Sequence, residues 1–307
     1  MARLAALDVG TNSTRLLVAD VEDGAIVATH AREMIITRLG KGVDRTGHFD
    51  PAALARTLDV LAGYAETCRR LGVERRRLVA TSATRDATNR QVFLDGVREL
   101  LGVDAKVLTG RAEAATTYRG ATAGLPGDPP TLVVDIGGGS TELIVGDGTT
   151  ARAMLSLDIG CVRLFERHLH HDPPTAAEAA ALRADVAGHL AQVAEVLDPA
   201  AATRVVGVAG TVTTVTAIAI GLDAYDPRRI HHQAVHAAEI AAVAGKLAAM
   251  TVAERAAMPV MAKGREDVIA AGALLLDELV QRLHLPEVVA SETDILDGVL
   301  LELAERP

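Results

Sequence analysis

Apolar residues in this chain come in short runs that pair up, and the pairs alternate with longer stretches patterned for helix. Residues 5–20, AALDVGTNSTRLLVAD, are an apolar run closed by Asp8, a turn of small residues and a second apolar run. That is the pattern of a β-hairpin. Residues 132–147, LVVDIGGGSTELIVGD, repeat it without a gap: Asp8 matches Asp135, Gly10 matches Gly137, and Ser13 and Thr14 match Ser140 and Thr141. A repeat of this length predicts two structurally related halves.

Beyond the first hairpin the pattern predicts a strand over 25–34 and a glycine-rich loop over 37–50 that carries Arg38, Lys41 and Arg45. A helix follows, capped by Asp50, begun by Pro51 and stopped near Leu71 ahead of Gly72. A short strand at 77–80 leads to TSATRDATN, a helix over 90–101, a strand over 105–108 and an Ala-rich helix through Tyr118. LPGDPP at 125–130 resists regular structure and reads as a linker. In the second half, Thr175 with Glu178 and Thr251 with Glu254 have capping-box spacing. Strand, glycine turn and helix are expected across 205–222, then a helix over 266–283, a strand over 287–290 and a last helix over 295–305. Strand pairs alternating with helices predict α/β layers. The expected domains are 1–125 and 126–307, with the last helix, about 292–307, able to pack back onto the first.

A chain of 307 residues has room for two cores. Aromatic residues make up only 2% and Trp is absent, which argues against a stacking platform for nucleic acid. The net charge of −9 gives no general attraction for polyanions or membranes, so an anionic substrate needs a local group of arginines. Arg is also the better bidentate phosphate ligand. Two cysteines, Cys68 and Cys161, are too few for a disulfide framework or a Cys-rich zinc site. Asp8 interrupts the apolar N-terminus too early for a secretory signal. The uncharged stretch 205–222 is broken by Gly207, Gly210 and several threonines, so it does not read as a membrane span. A cytoplasmic protein without nucleic-acid or membrane partners is expected, and a homodimer is left open.

Glycines and hydroxyl residues in the two hairpin turns let backbone N–H groups approach an anion. Asn12 and Ser13 in one turn, and Gly137, Gly138, Gly139 and Ser140 in the other, are therefore phosphate-binding candidates. One such turn alone is as often only a turn; the matched pair points to phosphate. The repeat breaks at one charged position, where Arg15 matches Glu142. A third loop, GVAGT at 207–211, follows an apolar strand and opens a helical stretch, so Gly210 and Thr211 offer amides at a helix start. Asp135 and Glu142 are hard oxygen donors suited to Mg²⁺, although a turn-capping role also suits Asp135. His231 and His232 are adjacent, would point oppositely on a strand and have no evident third ligand, so they read as a loop pair near the substrate and not as a metal site.

Eight stretches then combine: DVGTNSTR at 8–15, TSATRDATN at 81–89, GRAEA at 110–114, DIGGGSTE at 135–142, DIGCVRLFER at 158–167, GVAGT at 207–211, GREDVIAAGA at 264–273 and SETDILDG at 291–298. Together they resemble the exopolyphosphatase / guanosine pentaphosphate phosphohydrolase (Ppx/GppA) family, most closely its short members without extra C-terminal domains. The resemblance implies an α/β protein with two ribonuclease-H-like domains, as in the actin, Hsp70 and sugar-kinase superfamily, flanking a central cleft. It implies Glu113 as the carboxylate that activates water, Glu142 as a second essential acid, and Asp135 in the region of Mg²⁺ and phosphate. Arg15, Arg85 and Arg265 become substrate cations, and Cys161 falls near a substrate contact. The residues alone leave other roles open. Glu113 in the first turn of a helix also stabilises the helix dipole, Arg85 also suits a pair with Asp86, and Cys161 also suits a plain buried thiol. One departure is Ala112, where the family commonly has an acid ahead of the catalytic one. The expected activity is Mg²⁺-dependent release of orthophosphate from the end of inorganic polyphosphate. The alternative is hydrolysis of guanosine pentaphosphate to the tetraphosphate; more distant ones are an ATP-dependent kinase of the superfamily and a non-enzymatic polyphosphate or alarmone sensor.

Overall fold

In the computed structural model, which describes residues 1–305, both repeat segments form antiparallel hairpins and each hairpin founds its own unit. The first unit comprises residues 1–120 and the stretch from Thr293 onward. Its strands are β1 (Ala2–Val9), β2 (Ser13–Glu22), β3 (Ala25–Ile36), β4 (Arg75–Ala80) and β5 (Lys106–Val107), in the order β3-β2-β1-β4-β5. The first three are antiparallel neighbours, while β4 runs parallel to β1 and β5 parallel to β4. The central stretches of β1 and β2, Leu4–Leu7 and Leu16–Ala19, are continuously apolar because both faces of the sheet are covered. On one face Ala5, Leu7, Leu16, Val18 and Leu78 pack with Tyr64 and Phe93, from the helices Pro51–Arg70 and Gln91–Leu101. On the other, Leu4, Ala6, Leu17 and Val79 pack under Ile295, Leu296, Val299, Leu300 and Leu303 of the C-terminal helix Ile295–Ala304.

That C-terminal helix also touches the helix Gly110–Thr122 backbone to backbone. A Cβ on Gly120 would lie 1.8 Å from the carbonyl oxygen of Asp294, and one on Gly298 would lie 2.0 Å from that of Thr116. Only glycine at both positions permits the contact.

The second unit is residues 121–292. Its strands are β6 (Thr131–Ile136), β7 (Thr141–Asp147), β8 (Thr150–Leu157), β9 (Arg204–Val208), β10 (Ala234–His236) and β11 (Glu287–Ala290), in the order β10-β11-β9-β6-β7-β8. Apart from the added antiparallel β10, this is the order of the first sheet, and it is the ribonuclease-H-like arrangement in both units. The helix Ile269–Arg282 is buried on nearly every side, which is why its sequence is apolar all round.

The capping boxes at Thr175 with Glu178 and at Thr251 with Glu254 are both formed. The division falls after Gly120, and the stretch from Thr293 belongs with the first unit. TSATRDATN contains a short helix, Ser82–Asp86. Among the described residues no helix is long and apolar enough to cross a membrane.

Candidate functional site

In the second unit β6 and β9 run parallel with Asp135 level with Val208, so the loop after β6 and the helix after β9 emerge at the same sheet edge. Open α/β sheets bind ligands at that carboxyl edge. The loop closes with the Gly137 amide donating to the Ser140 carbonyl at 3.0 Å, as Gly10 donates to Ser13 at 2.9 Å in the other copy. The helix Cys161–His168 begins against it: the amides of Cys161 and Val162 donate to the carbonyls of Gly137 and Gly138 at 3.0 and 2.9 Å, and Arg163 Nε to Gly139 at 2.8 Å. A Cβ on Gly160 would be 2.5 Å from the Gly138 carbonyl carbon, so the close seating depends on that glycine. The loop's carbonyls are thereby occupied. Among the described residues, the amides of Gly138 and Gly139 donate to no backbone carbonyl, which is the arrangement an anion needs.

Gly210 and Thr211 open the helix Ala209–Ala219 at the same edge. The Arg265 guanidinium lies directly over Gly210, where a Cβ would be 2.2 Å from Nη2, and Nη1 donates to Thr214 Oγ1 at 2.8 Å. Cys161 is hydrogen-bonded with Thr211, and burial pushes its thiol up to about 11, so it is a packing group and not a nucleophile. The second unit thus brings together the Gly137–Ser140 loop, Cys161, Gly210, Thr211 and Arg265.

Asp135 and Glu142 sit directly opposite each other across β6 and β7, and both are buried. The equivalent pair in the first unit, Asp8 and Arg15, is an ion pair. Two carboxylates at cross-strand positions are mutually unfavourable unless a cation or proton joins them. Glu142 Oε1 accepts a hydrogen bond from Ser156 Oγ on β8 at 2.7 Å, which orients it. Among the described residues no group of three or more His, Cys, Asp or Glu is placed to hold a metal. A two-carboxylate set still fits Mg²⁺, which takes one or two carboxylates and fills its octahedron with water and substrate phosphate.

In the first unit Arg15 donates from Nε and Nη2 to Asp8 Oδ2 at 3.0 and 2.7 Å, and from Nη1 to Asp294 Oδ2. Arg85, on the short helix after β4, donates from Nη1 to Glu113 Oε2 at 2.6 Å and to the Leu108 carbonyl at 3.0 Å. It pairs with Glu113 in place of the Asp86 partnership its sequence also allowed. Glu113 is 8% exposed, in the first turn of the helix Gly110–Thr122. Burial pushes its carboxyl up to about 7 against the opposing pull of Arg85, and the nearby Asp8 adds to the rise. Burial also raises Asp8. Ala112 packs at the edge of the apolar cluster formed with the C-terminal helix, where an acid would be poorly placed.

Asn12 and Ser13 lie in the loop between β1 and β2. Buried oxygens without a hydrogen-bond partner lie in it and at the end of β1: Asp8 Oδ1, Thr11 Oγ1 and Asn12 Oδ1. Such atoms are rare in folded proteins and are typical of sites that bind something polar. The basic loop is stitched to the same turn, with the amides of Thr37 and Arg38 donating to the Asn12 carbonyl and that of Gly40 to the Thr11 carbonyl. His231 and His232 lie outside any strand, and their rings stack with centroids 3.7 Å apart. Sequence reasoning missed Ser156 and Asp294. Asp294 lies in the SETDILDG motif, which signalled importance without assigning it a role.

A model of the Ppx/GppA phosphatase family matches residues 17–306. The chain is 44% identical over 318 aligned residues to a Mycobacterium tuberculosis protein named Exopolyphosphatase 2, with 99% of each covered. It is 42% identical over 164 residues to a Vibrio atlanticus guanosine-5'-triphosphate,3'-diphosphate pyrophosphatase, a match spanning 53% of this chain and 33% of that protein. Among solved structures, an exopolyphosphatase-like protein superposes with a TM-score of 0.95 at 36% identity, covering 99% of both chains.

Proposed function

Because the chain belongs to the Ppx/GppA phosphatase family, we propose that it is an exopolyphosphatase, releasing orthophosphate from the end of inorganic polyphosphate. The observation that carries the mechanism is Glu113, a buried carboxyl raised to about 7 and held by Arg85. An acid of that strength is ionised in a good part of the molecules at neutral pH and is still basic enough to take a proton from water. Each unit offers its own phosphate ligands: the amides of Gly138 and Gly139, the helix start at Gly210 and Thr211 and the Ser140 side chain in the second, and the side chains of Asn12 and Ser13 in the first. Arg15, Arg85 and Arg265 oppose the charge of the chain. Water attacks the terminal phosphorus in line, its proton passes to Glu113 Oε, and the bridging oxygen leaves with the shortened chain.

Asp135 and Glu142 would hold Mg²⁺, which supplies neutralisation of the non-bridging oxygens when bound. Both cysteines are buried free thiols, in keeping with a reducing, cytoplasmic setting.

Replacing Glu113→Gln is expected to abolish phosphate release while polyphosphate binding survives; undiminished turnover would overturn the assignment. The Vibrio relatives favour guanosine pentaphosphate as a second substrate. Phosphate release from short polyphosphate, long polyphosphate and the nucleotide, measured side by side, ranks the two.

A further inference from the structure

We infer that Asp294 is a positioning residue that fixes the guanidinium of Arg15 for phosphate, an inference that rests on the function proposed above. Arg15 is held from two directions. Asp8, on its own hairpin, accepts from Nε and Nη2, and Asp294, from the far end of the chain, accepts from Nη1. Asp294 is 5% exposed and caps the C-terminal helix, with Oδ1 accepting the Leu296 amide at 3.0 Å. Its own amide donates to Asp297 Oδ2 at 2.9 Å, and Asp297 Oδ1 accepts from Arg32 Nη2, on β3, at 2.5 Å.

Capping needs only one side-chain oxygen, and Ser, Thr or Asn serve about as well as Asp. The second oxygen of Asp294 and its negative charge therefore exceed what the helix requires; that oxygen accepts from Arg15, and the charge faces both Arg15 and Arg32. The same helix meets the Glu113-bearing helix through Gly120 and Gly298, too closely for either to shift independently. Arg15 and Glu113 are thus both referenced to one rigid element. A long side chain ordered before substrate arrives does not have to be ordered by it, and its charge already lies where charge develops.

The test is a double-mutant cycle on phosphate release from polyphosphate with Mg²⁺, with kcat and KM read separately for wild type, Asp294→Asn, Arg15→Gln and the double variant. Asn keeps the cap and the volume but removes the charge and turns an amide toward Arg15. The expected result is a roughly tenfold loss of kcat in Asp294→Asn with a smaller change in KM, of the size a slightly misplaced group produces. Arg15→Gln should lose at least as much, and the double variant no more than Arg15→Gln alone, because Asp294 acts through Arg15. Losses that multiply in the double variant, or wild-type kcat in Asp294→Asn, overturn the inference. Asp297→Asn disturbs the same helix turn without touching Arg15; it should lower Tm while kcat stays within about twofold. A tenfold kcat loss there would assign the effect to helix integrity instead. If Asp294→Asn does not fold, Asp294→Ser repeats the cycle with the cap intact. If wild type releases no phosphate, the functional reading fails separately, and the same cycle is read as the Kd for inorganic tripolyphosphate by calorimetry, with additive losses again overturning the role of Asp294.

Discussion

Glu113 is pulled two ways. Burial holds its proton on, and Arg85 draws it off. As a base it works only when ionised, so phosphate release should rise with pH through about 7 and level off above it. Arg85→Met removes the main pull against burial and leaves only the weaker one of Arg15, so the rising limb of the pH–rate profile should move to higher pH; a limb that stays put would break the link between the two residues. Stability follows the opposite sign. The folded protein keeps the Glu113 proton where an unfolded chain has already lost it, so this carboxyl's contribution is complete in acid and is lost as pH climbs from about 4.5 through about 7. Denaturation of Glu113→Gln beside wild type should therefore show the variant gaining relative stability between pH 5 and pH 8. At Glu142, Ser156→Ala removes the hydrogen bond that orients the carboxylate and should raise the Mg²⁺ needed for half-maximal activity roughly tenfold, read by metal titration. The acids themselves were legible in the sequence because they sit in motifs. Their environments were not: Glu113 and Arg85 are 28 residues apart, and no local pattern reports that a first-turn acid is roofed over.

Elements defined by local chemistry were equally legible. The hairpins, the helix at Pro51 and both capping boxes depend on residues within a few positions of each other, and all formed where the pattern put them. The helix Ala237–Ala249 was not predicted. Alanines lie on all its faces, which blurs the apolar stripe, and its cap is His236, outside the usual capping residues. β10 is only three residues long and β8 is half-buried, so neither carries a strong alternation. The glycines of helices show a similar split between what is local and what is not. Gly188, in the helix Ala176–Leu190, faces open space, so Gly188→Ala should stabilise by about 0.5–1 kcal/mol through helix propensity alone. Gly298→Ala drives a methyl into the backbone of Thr116 and should cost roughly 3 kcal/mol, since overpacking against an element that cannot yield is at the upper end of such penalties. Thermal melts of the two variants should shift in opposite directions.

At the scale of the whole molecule, the two units differ in how the chain supplies them. The second is a continuous segment, whereas the first borrows its last helix from the far end of the chain. LPGDPP marks the least structured stretch between the repeats, but the division falls at Gly120, where a backbone contact with that borrowed helix begins; no composition signal encodes such a contact. Ile295, Leu296, Val299, Leu300 and Leu303 cover Leu4, Ala6, Leu17 and Val79. At about 1.5–3 kcal/mol for each buried side chain, this face is worth roughly 10 kcal/mol as an upper estimate. That equals the whole stability of a typical domain, about 5–15 kcal/mol. A chain ending at residue 292 should therefore lose the first unit outright, as judged by burial and not by how few residues are removed. Limited proteolysis should cut it throughout residues 1–120 while 121–292 resists, and the isolated segment 121–292 should melt cooperatively by itself. Protection of residues 1–120 in the truncated chain would mean that the sheet tolerates one bare face, and the C-terminal helix would then be an ornament on the first unit instead of half its core.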